Sequence, residues 1–96
     1  MMFDARIVGD WVVLTGRFDA SQVEIAYTVF DRVTTSAVVD FRELEYISSA
    51  GLGVLLKTQK RLKESGNGLK LINFNRHITE IFQYSGLDKI FEIDTL

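Results

Sequence analysis

The stretch Tyr46-Ile47-Ser48-Ser49-Ala50-Gly51-Leu52-Gly53 carries the most information about the fold of this chain. It follows an apolar run, Val38-Val39-Asp40-Phe41, that predicts a buried strand, and it opens a segment whose apolar residues recur at helical spacing. The two serines are therefore expected at a helix N-terminus, where unpaired N–H groups and a partial positive charge stabilise a phosphate. Because serine is also a good helix cap, the two hydroxyls do not by themselves establish a functional site.

Composition limits the class of protein. The 96 residues suffice for one domain and are too few for two, so residues 1–96 are expected to form a single domain. A hydrophobic fraction of 47% supports a packed core, and a net charge of −2 gives no reason to expect a nucleic-acid partner. The chain has no cysteine and one histidine, which argues against disulfides and against thiolate or histidine-rich metal sites.

The chain also lacks the usual signals for export or membrane insertion. Residues Met1 to Arg6 do not show a charged region followed by an apolar one, as a secretory signal would. No apolar run approaches the roughly 20 residues that a membrane helix needs. We therefore expect a cytoplasmic protein that does not insert into a membrane.

Strand and helix patterns alternate along the chain after an initial hairpin at Gly9-Asp10. The predicted strands are Phe3–Val8, Trp11–Gly16, Ala37–Phe41, Leu69–Phe74 and Ile90–Ile93. Three helices are predicted between the later strands: the first is capped by Asp19 or Ser21, the second ends near Gly66, and the third runs from an Asn75 cap to Gly86. The order ββαβαβαβ predicts an α/β fold with a mixed, mainly parallel sheet. The apolar run Ala37–Phe41 suggests a strand buried on both faces.

Polar residues follow several of these strands. In parallel sheets, functional loops lie beyond the carboxyl ends of the strands. The polar residues expected to converge at that edge are Asp19, Asp40, Ser48, Ser49, Asn73 and Asn75.

Four segments match one family pattern in register. Gly16-Arg17-Phe18-Asp19-Ala20 has the form Gly-x-x-Asp-Ala, Val38-Val39-Asp40-Phe41 is a strand of the form apolar-Asp-apolar, Tyr46 to Leu55 contains Ser-Ser-Ala-Gly-Leu, and Ser85 to Phe91 contains Gly-Leu-Asp-x-apolar-Phe. These segments span nearly the whole chain. Together they resemble the STAS domain family, and specifically its stand-alone anti-sigma factor antagonists.

The resemblance implies a non-enzymatic binding protein in a partner-switching cascade that regulates transcription. Such an antagonist captures an anti-sigma factor that is also a serine kinase, is released when the kinase phosphorylates it, and is restored by a serine phosphatase. Anchored on Gly51, the phosphorylated residue corresponds to Ser49. The partner-binding residues implied are Asp19, Asp40, Ser48, Ser49, Ala50, Gly51 and Leu52. No cofactor is implied; some STAS domains bind purine nucleotides weakly, and this sequence neither supports nor excludes such binding.

The chain departs from the family pattern at two places. Many members carry Asp immediately before the phosphorylated serine, where this chain has Ser48, so Ser48 is a second candidate for modification. Members usually continue into a further helix after the last strand, whereas this sequence stops at Asp94-Thr95-Leu96. An apolar strip is then expected to be exposed, or covered by a partner or by a second copy in a homodimer.

Structural roles compete with functional ones at these residues. Both serines and Asp19 could be simple caps, and Gly51 and Gly53 are expected to allow close packing of the helix on the sheet. A phosphate on Ser49 is expected to bond the N–H groups of Gly51 and Leu52. The aromatic residues expected in the core are Trp11, Phe30, Phe74 and Phe82.

Two other functional classes share some of these residues. Ser49, His77 and Asp40 could form a hydrolase triad, but the chain lacks the Gly-x-Ser-x-Gly elbow and the Gly-Lys-Ser/Thr of a phosphate-binding loop, so no enzymatic activity is predicted. Some small STAS proteins resemble subunits of a membrane lipid-transport complex that dock on an ATPase. In that class the serine region is an assembly surface without a phosphorylation cycle.

Overall fold

The computed structural model describes residues 2–94. They form a five-stranded sheet and three α-helices in the predicted order ββαβαβαβ. The strands are β1 (Asp4–Val8), β2 (Trp11–Phe18), β3 (Ala37–Ile47), β4 (Leu69–Ile72) and β5 (Glu92–Asp94). The helices are α1 (Val23–Phe30), α2 (Ser49–Lys63) and α3 (Arg76–Ser85), with short 3₁₀ turns at Ala20–Gln22 and Leu87–Lys89. Among these residues, no helix is both long and apolar enough to cross a membrane.

The sheet is mainly parallel, as predicted. Strands lie in sequence order, with β1 antiparallel to β2 and every other neighbouring pair parallel. The two-residue turn between β1 and β2 has Gly9 at φ +61, the conformation that glycine adopts easily at the first position of a type II′ hairpin turn.

All three helices lie on one face of the sheet. Strands in sequence order joined by right-handed crossovers place every crossover helix on the same side. The core therefore forms between that face and the helices. Its largest fully buried side chains include Leu14, Phe18, Phe30, Phe41, Leu55 and Phe82. We call the other side of the sheet the open face; it is defined by Arg6, Val8, Trp11, Val13, Val38, Asp40, Lys70 and Ile72, which the strand register places in adjacent rows.

The open face corrects two predictions. The strand Ala37–Phe41 is not buried on both faces, since Val39 and Phe41 are buried while Val38 and Asp40 are only partly buried. Trp11 is not a core residue, because it lies on the open face beside Val8 and Val38 and is 42% exposed.

Strand β3 is also longer than predicted. It continues from Phe41 to Ile47, and its pairing with β2 slips by one residue at two places, between Val13 and Thr15 and between Gly16 and Arg17. The second slip keeps Leu44 and Ile47 on the buried face although they are three residues apart. Because polar residues lie between them, this part of the sequence lacks the alternation of apolar and polar residues that would predict a strand.

Candidate functional site

The candidate site lies where β2 and β3 end side by side. Phe18 and Ile47 are the last residues of these parallel strands and lie opposite each other. The Ser48 N–H donates a hydrogen bond to the Phe18 carbonyl at 2.9 Å. Asp19 and Ser48 therefore start from neighbouring strands, whose spacing is about 4.8 Å. The predicted convergence of the Asp19 turn with the serine segment is thus present.

Ser48 is the N-cap of α2. Its backbone is extended, with φ −86 and ψ 169, and its Oγ accepts a hydrogen bond from the Gly51 N–H at 3.1 Å. Its carbonyl accepts the first hydrogen bond of the helix, from the Leu52 N–H at 2.9 Å. The hydroxyl of Ser48 is therefore committed to holding the end of the helix.

Ser49 has a different environment although it follows directly. It is the first helical residue, its side chain is exposed, and within residues 2–94 its hydroxyl makes no hydrogen bond. Because Ser48 caps the helix, the Ser49 hydroxyl is not needed as a cap. The geometry presents one free hydroxyl at the positive end of a 15-residue helix.

The N–H groups expected to bond a phosphate on Ser49 already have partners in the structure. The N–H groups of Gly51 and Leu52 already bond the Oγ and carbonyl of Ser48. The first N–H groups of a helix have no partner within the helix, and those of Ser49 and Ala50 find none elsewhere among the described residues. An anion on Ser49 would therefore face the N–H groups of Ser49 and Ala50.

The two glycines of the segment have unlike roles. A Cβ on Gly51 would lie 2.8 Å from Cγ1 of Ile47 and 3.1 Å from the Phe18 ring, so this glycine lets α2 approach the ends of both strands. The predicted packing role is thus confirmed for Gly51. For Gly53 it is wrong, because this residue is exposed and a Cβ there would meet no atom within 4 Å. Gly53 lies one helical turn after Ser49, and the half-buried Leu52 lies beside it.

Asp19 is a cap, as expected, but of the short 3₁₀ turn rather than of α1. Its Oδ1 accepts hydrogen bonds from the N–H of Ser21 at 3.1 Å and from the Ser21 hydroxyl at 2.6 Å. Ser21 is a donor here and caps no helix. The capped turn holds a partly buried carboxylate beside the serine segment, so the site combines a free hydroxyl with a neighbouring negative charge.

Asp40 does not belong to this cluster. It lies on the open face seven residues before the end of β3, roughly 20 Å from Ile47 at about 3.3 Å per residue. Its Oδ1 accepts hydrogen bonds from the Asn73 side chain at 2.9 Å and from the Arg42 N–H at 3.0 Å. The expected convergence of Asp40 and Asn73 with the serines is therefore wrong, because β3 continues past Asp40 instead of ending there.

The remaining candidate residues, Asn75 and His77, lie at the start of α3. Asn75 caps this helix, with its Oδ1 accepting from the Ile78 N–H at 2.8 Å, and its amide donates to the Leu44 carbonyl at 3.2 Å. His77 is exposed in the first turn and makes no hydrogen bond with Asp40 among the described residues. Ser49, His77 and Asp40 are not assembled as a triad. Within residues 2–94, no group of three or more His, Asp or Glu side chains could hold a metal ion.

One contact at the site was missed from the sequence. The Arg17 guanidinium lies over the Tyr46 ring, 4.4 Å from its centroid, where it gains a cation–π interaction. The two residues are opposite in the bulged register, each one residue before its strand ends. The contact depends on the second bulge, which no local pattern indicated.

Comparison with known proteins supplies the family. The family model described as "Mlab, STAS domain" matches residues 1–93. The chain is 35% identical over 82 residues to BtrV of Bordetella bronchiseptica, a candidate anti-sigma factor antagonist, with 85% of this chain and 70% of BtrV aligned. It is 36% identical over 52 residues to the anti-sigma-B factor antagonist of Bacillus subtilis, an alignment that covers 54% of this chain and 48% of that protein.

Solved structures agree with the fold. The phosphorylated form of SpoIIAA, a Bacillus cell fate determinant, superposes with a TM-score of 0.68 at 24% identity, covering 99% of this chain and 91% of SpoIIAA. The match to the family model spans nearly the whole chain. This chain belongs to the STAS domain family.

Proposed function

We propose that this protein is an anti-sigma factor antagonist that binds an anti-sigma factor with serine kinase activity, and that phosphorylation of Ser49 ends the interaction. The observation that carries the proposal is the free, exposed Ser49 hydroxyl beside a Ser48 hydroxyl that is already bonded. The names of BtrV and the Bacillus subtilis relative, and the existence of a phosphorylated SpoIIAA, support it. The proposal needs no cofactor and places the protein in the cytoplasm.

Phosphorylation would change the site without unfolding it. A phosphoserine carries about −1.5 to −2 charges, which the helix N-terminus and the free N–H groups of Ser49 and Ala50 stabilise. The same charge lies beside the Asp19 carboxylate and must be desolvated when a partner covers the site. Because each 1.4 kcal/mol lost is a tenfold loss of affinity, a dianion without a pairing arginine in the interface is enough to abolish binding.

The experiment compares three variants against the cognate kinase. Ser49→Ala should bind the kinase and accept no phosphate, while Ser49→Asp should lose binding by at least about a hundredfold. Ser48→Ala is the matched control, since it removes the neighbouring hydroxyl and should still be phosphorylated. Calorimetric titration measures the affinities, and mass spectrometry of the tryptic peptide from Glu43 to Lys57 locates the phosphate. Unchanged binding by Ser49→Asp would contradict the proposal, as would phosphorylation on Ser48 alone.

A second candidate is an assembly subunit of a membrane lipid-transport complex that docks on an ATPase without a phosphorylation cycle. We keep this candidate because the description of the matching family model names Mlab and does not name an antagonist. Genes for a serine kinase or phosphatase beside this one would favour the antagonist, whereas permease and ATPase genes would favour the subunit. Protein from native cells that never carries phosphate on Ser48 or Ser49 would also favour the subunit.

A further inference from the structure

The outer edge of β1 has no pairing partner within residues 2–94, since β1 ends the sheet. In a two-residue hairpin the residues flanking the turn, here Val8 and Trp11, form a hydrogen-bonded pair, and such pairs alternate along the strands. The backbone N–H and C=O groups of Arg6 and Asp4 therefore form hydrogen bonds with β2, as those of Val8 do. Ala5 and Ile7 direct their N–H and C=O groups to the free edge, which is able to pair with another strand.

Apolar side chains collect at the same edge. Met2, Ile7 and Val8 are 88%, 37% and 58% exposed, and Ile25 on α1 is 51% exposed. Helix α1 packs over β1 and against α2, and its Tyr27 lines the cavity between the two helices. Ile25 precedes Tyr27 by two residues, about 200° around the helix, so it faces away from α2 towards the β1 edge. Of the seven large exposed hydrophobic residues within residues 2–94, four thus border the outer edge of β1.

We propose that two copies of this chain associate through antiparallel pairing of their β1 strands, with Ala5 opposite Ala5 of the second copy. In this register Asp4 lies opposite Arg6 of the second copy, Phe3 opposite Ile7, and Met2 opposite Val8. Ala5 with Ala5, and Phe3 with Ile7, become the hydrogen-bonded pairs, because the backbone N–H and C=O groups of these residues point to the free edge. The two sheets join into one continuous sheet, and the two-fold axis brings Ile25 of each copy to the same side of it.

The charged side chains of Asp4 and Arg6 favour this register over the alternatives. Asp4 and Arg6 point to the open face, where Arg6 Nε lies 3.4 Å from Asp4 Oδ2 in one chain. Two chains in the proposed register form an alternating set of two acidic and two basic groups, a favourable cross-strand arrangement. A shift that places Arg6 opposite itself would instead juxtapose like charges and set Asp4 against Val8. An odd shift would turn the apolar side chains to the wrong face.

The test uses charge reversal at two exposed positions, Asp4 and Arg6, whose side chains are 58% and 68% exposed, so that the fold is kept. Asp4→Lys and Arg6→Glu should each weaken self-association by at least about tenfold, because each makes all four facing charges alike. A mixture of the two variants should recover the wild-type dimer, since every opposed pair is again of opposite sign. Sedimentation equilibrium over a range of concentrations measures each dissociation constant.

Amide hydrogen exchange locates the interface. The Ala5 and Ile7 amides should gain protection as protein concentration rises, while the Arg6 amide, already bonded to β2, should not change. A wild-type protein that stays monomeric at millimolar concentration would overturn the proposal. In that case the β1 edge would be available to pair with a strand of another protein. A dimer that resists both single reversals, or a mixture that fails to recover, would overturn it too. This inference is independent of the proposed antagonist function.

Discussion

Ser48 and Ser49 are adjacent residues of the same type whose environments differ at the scale of single atoms. One hydroxyl holds the Gly51 N–H and the other is free and exposed. Two serines at a helix start were visible in the sequence, but either could have been the cap. The choice follows from backbone geometry, since the capping residue must be extended while the next is helical.

Replacing Ser48 or Ser49 by alanine should change the stability of the protein by different amounts, because only Ser48 caps the helix. Ser48→Ala is expected to lower the free energy of unfolding by about 1 kcal/mol, because the Gly51 N–H loses its acceptor. Ser49→Ala should change it by less than about 0.5 kcal/mol. Urea denaturation of the two variants is the measurement, and equal losses would show that the capping assignment is wrong.

The two glycines of α2 offer a second matched pair. Gly51→Ala should cost about 1 to 3 kcal/mol, because its Cβ would lie 2.8 Å from Ile47 Cγ1 and the helix must shift. Gly53→Ala meets nothing within 4 Å and should gain up to about 1 kcal/mol from helix propensity. Thermal unfolding should therefore move in opposite directions for the two changes; a common direction would contradict the packing described for Gly51.

At the scale of elements, α2 connects the site to the rest of the sheet. Its start is fixed by Gly51 against Phe18 and Ile47. Nearer its end, the buried Gln59 accepts a hydrogen bond from the Leu69 N–H at 2.7 Å and donates one to the Ile90 carbonyl at 3.2 Å. Helix α2 is thereby tied to β4 and to the segment before β5. Apolar periodicity gave no reason to expect a buried polar side chain in this helix.

Removing that polar link should be costly. Gln59→Leu keeps a side chain of similar size in the core but leaves a buried N–H and a carbonyl without partners, so we expect a loss of about 2 to 4 kcal/mol. Lys60→Leu, on the exposed side of the same helix, should change stability by less than about 0.5 kcal/mol. Chemical denaturation compares them, and a small effect of Gln59→Leu would mean that these two hydrogen bonds add little.

At the scale of the whole molecule, the decisive feature is that the helices within residues 2–94 cover one face of the sheet and leave the other open. Val38 and Val39 are neighbours in β3, yet Val39 is fully buried under the helices while Val38 lies partly exposed on the open face. The site and the proposed dimer edge are neighbours, because Phe3, just before β1, stacks on Phe18 at the end of β2 with ring centroids 4.6 Å apart. Ser49 lies at the carboxyl ends of β2 and β3, and the proposed pairing uses the outer edge of β1.

Identical substitutions at the two valines test this arrangement. Val39→Thr should cost about 1 to 3 kcal/mol, because it buries a hydroxyl among apolar side chains. Val38→Thr should cost less than about 1 kcal/mol, because water reaches its hydroxyl. Equilibrium unfolding in urea gives both values. Similar losses at both positions would indicate that the second face is covered as well.

The sequence by itself determined the order of strands and helices, the parallel sheet, and the serine segment at the start of α2. These follow from local signals: apolar periodicity, capping residues, and glycines at turns and helix ends. Only the tertiary structure decided that the sheet has an open face, that Trp11 and Asp40 lie on it, and that Ser48 rather than Ser49 is the cap. Strand order, bulged register and backbone geometry set those features, and each depends on residues far apart in the chain or on conformations that residue type alone does not specify.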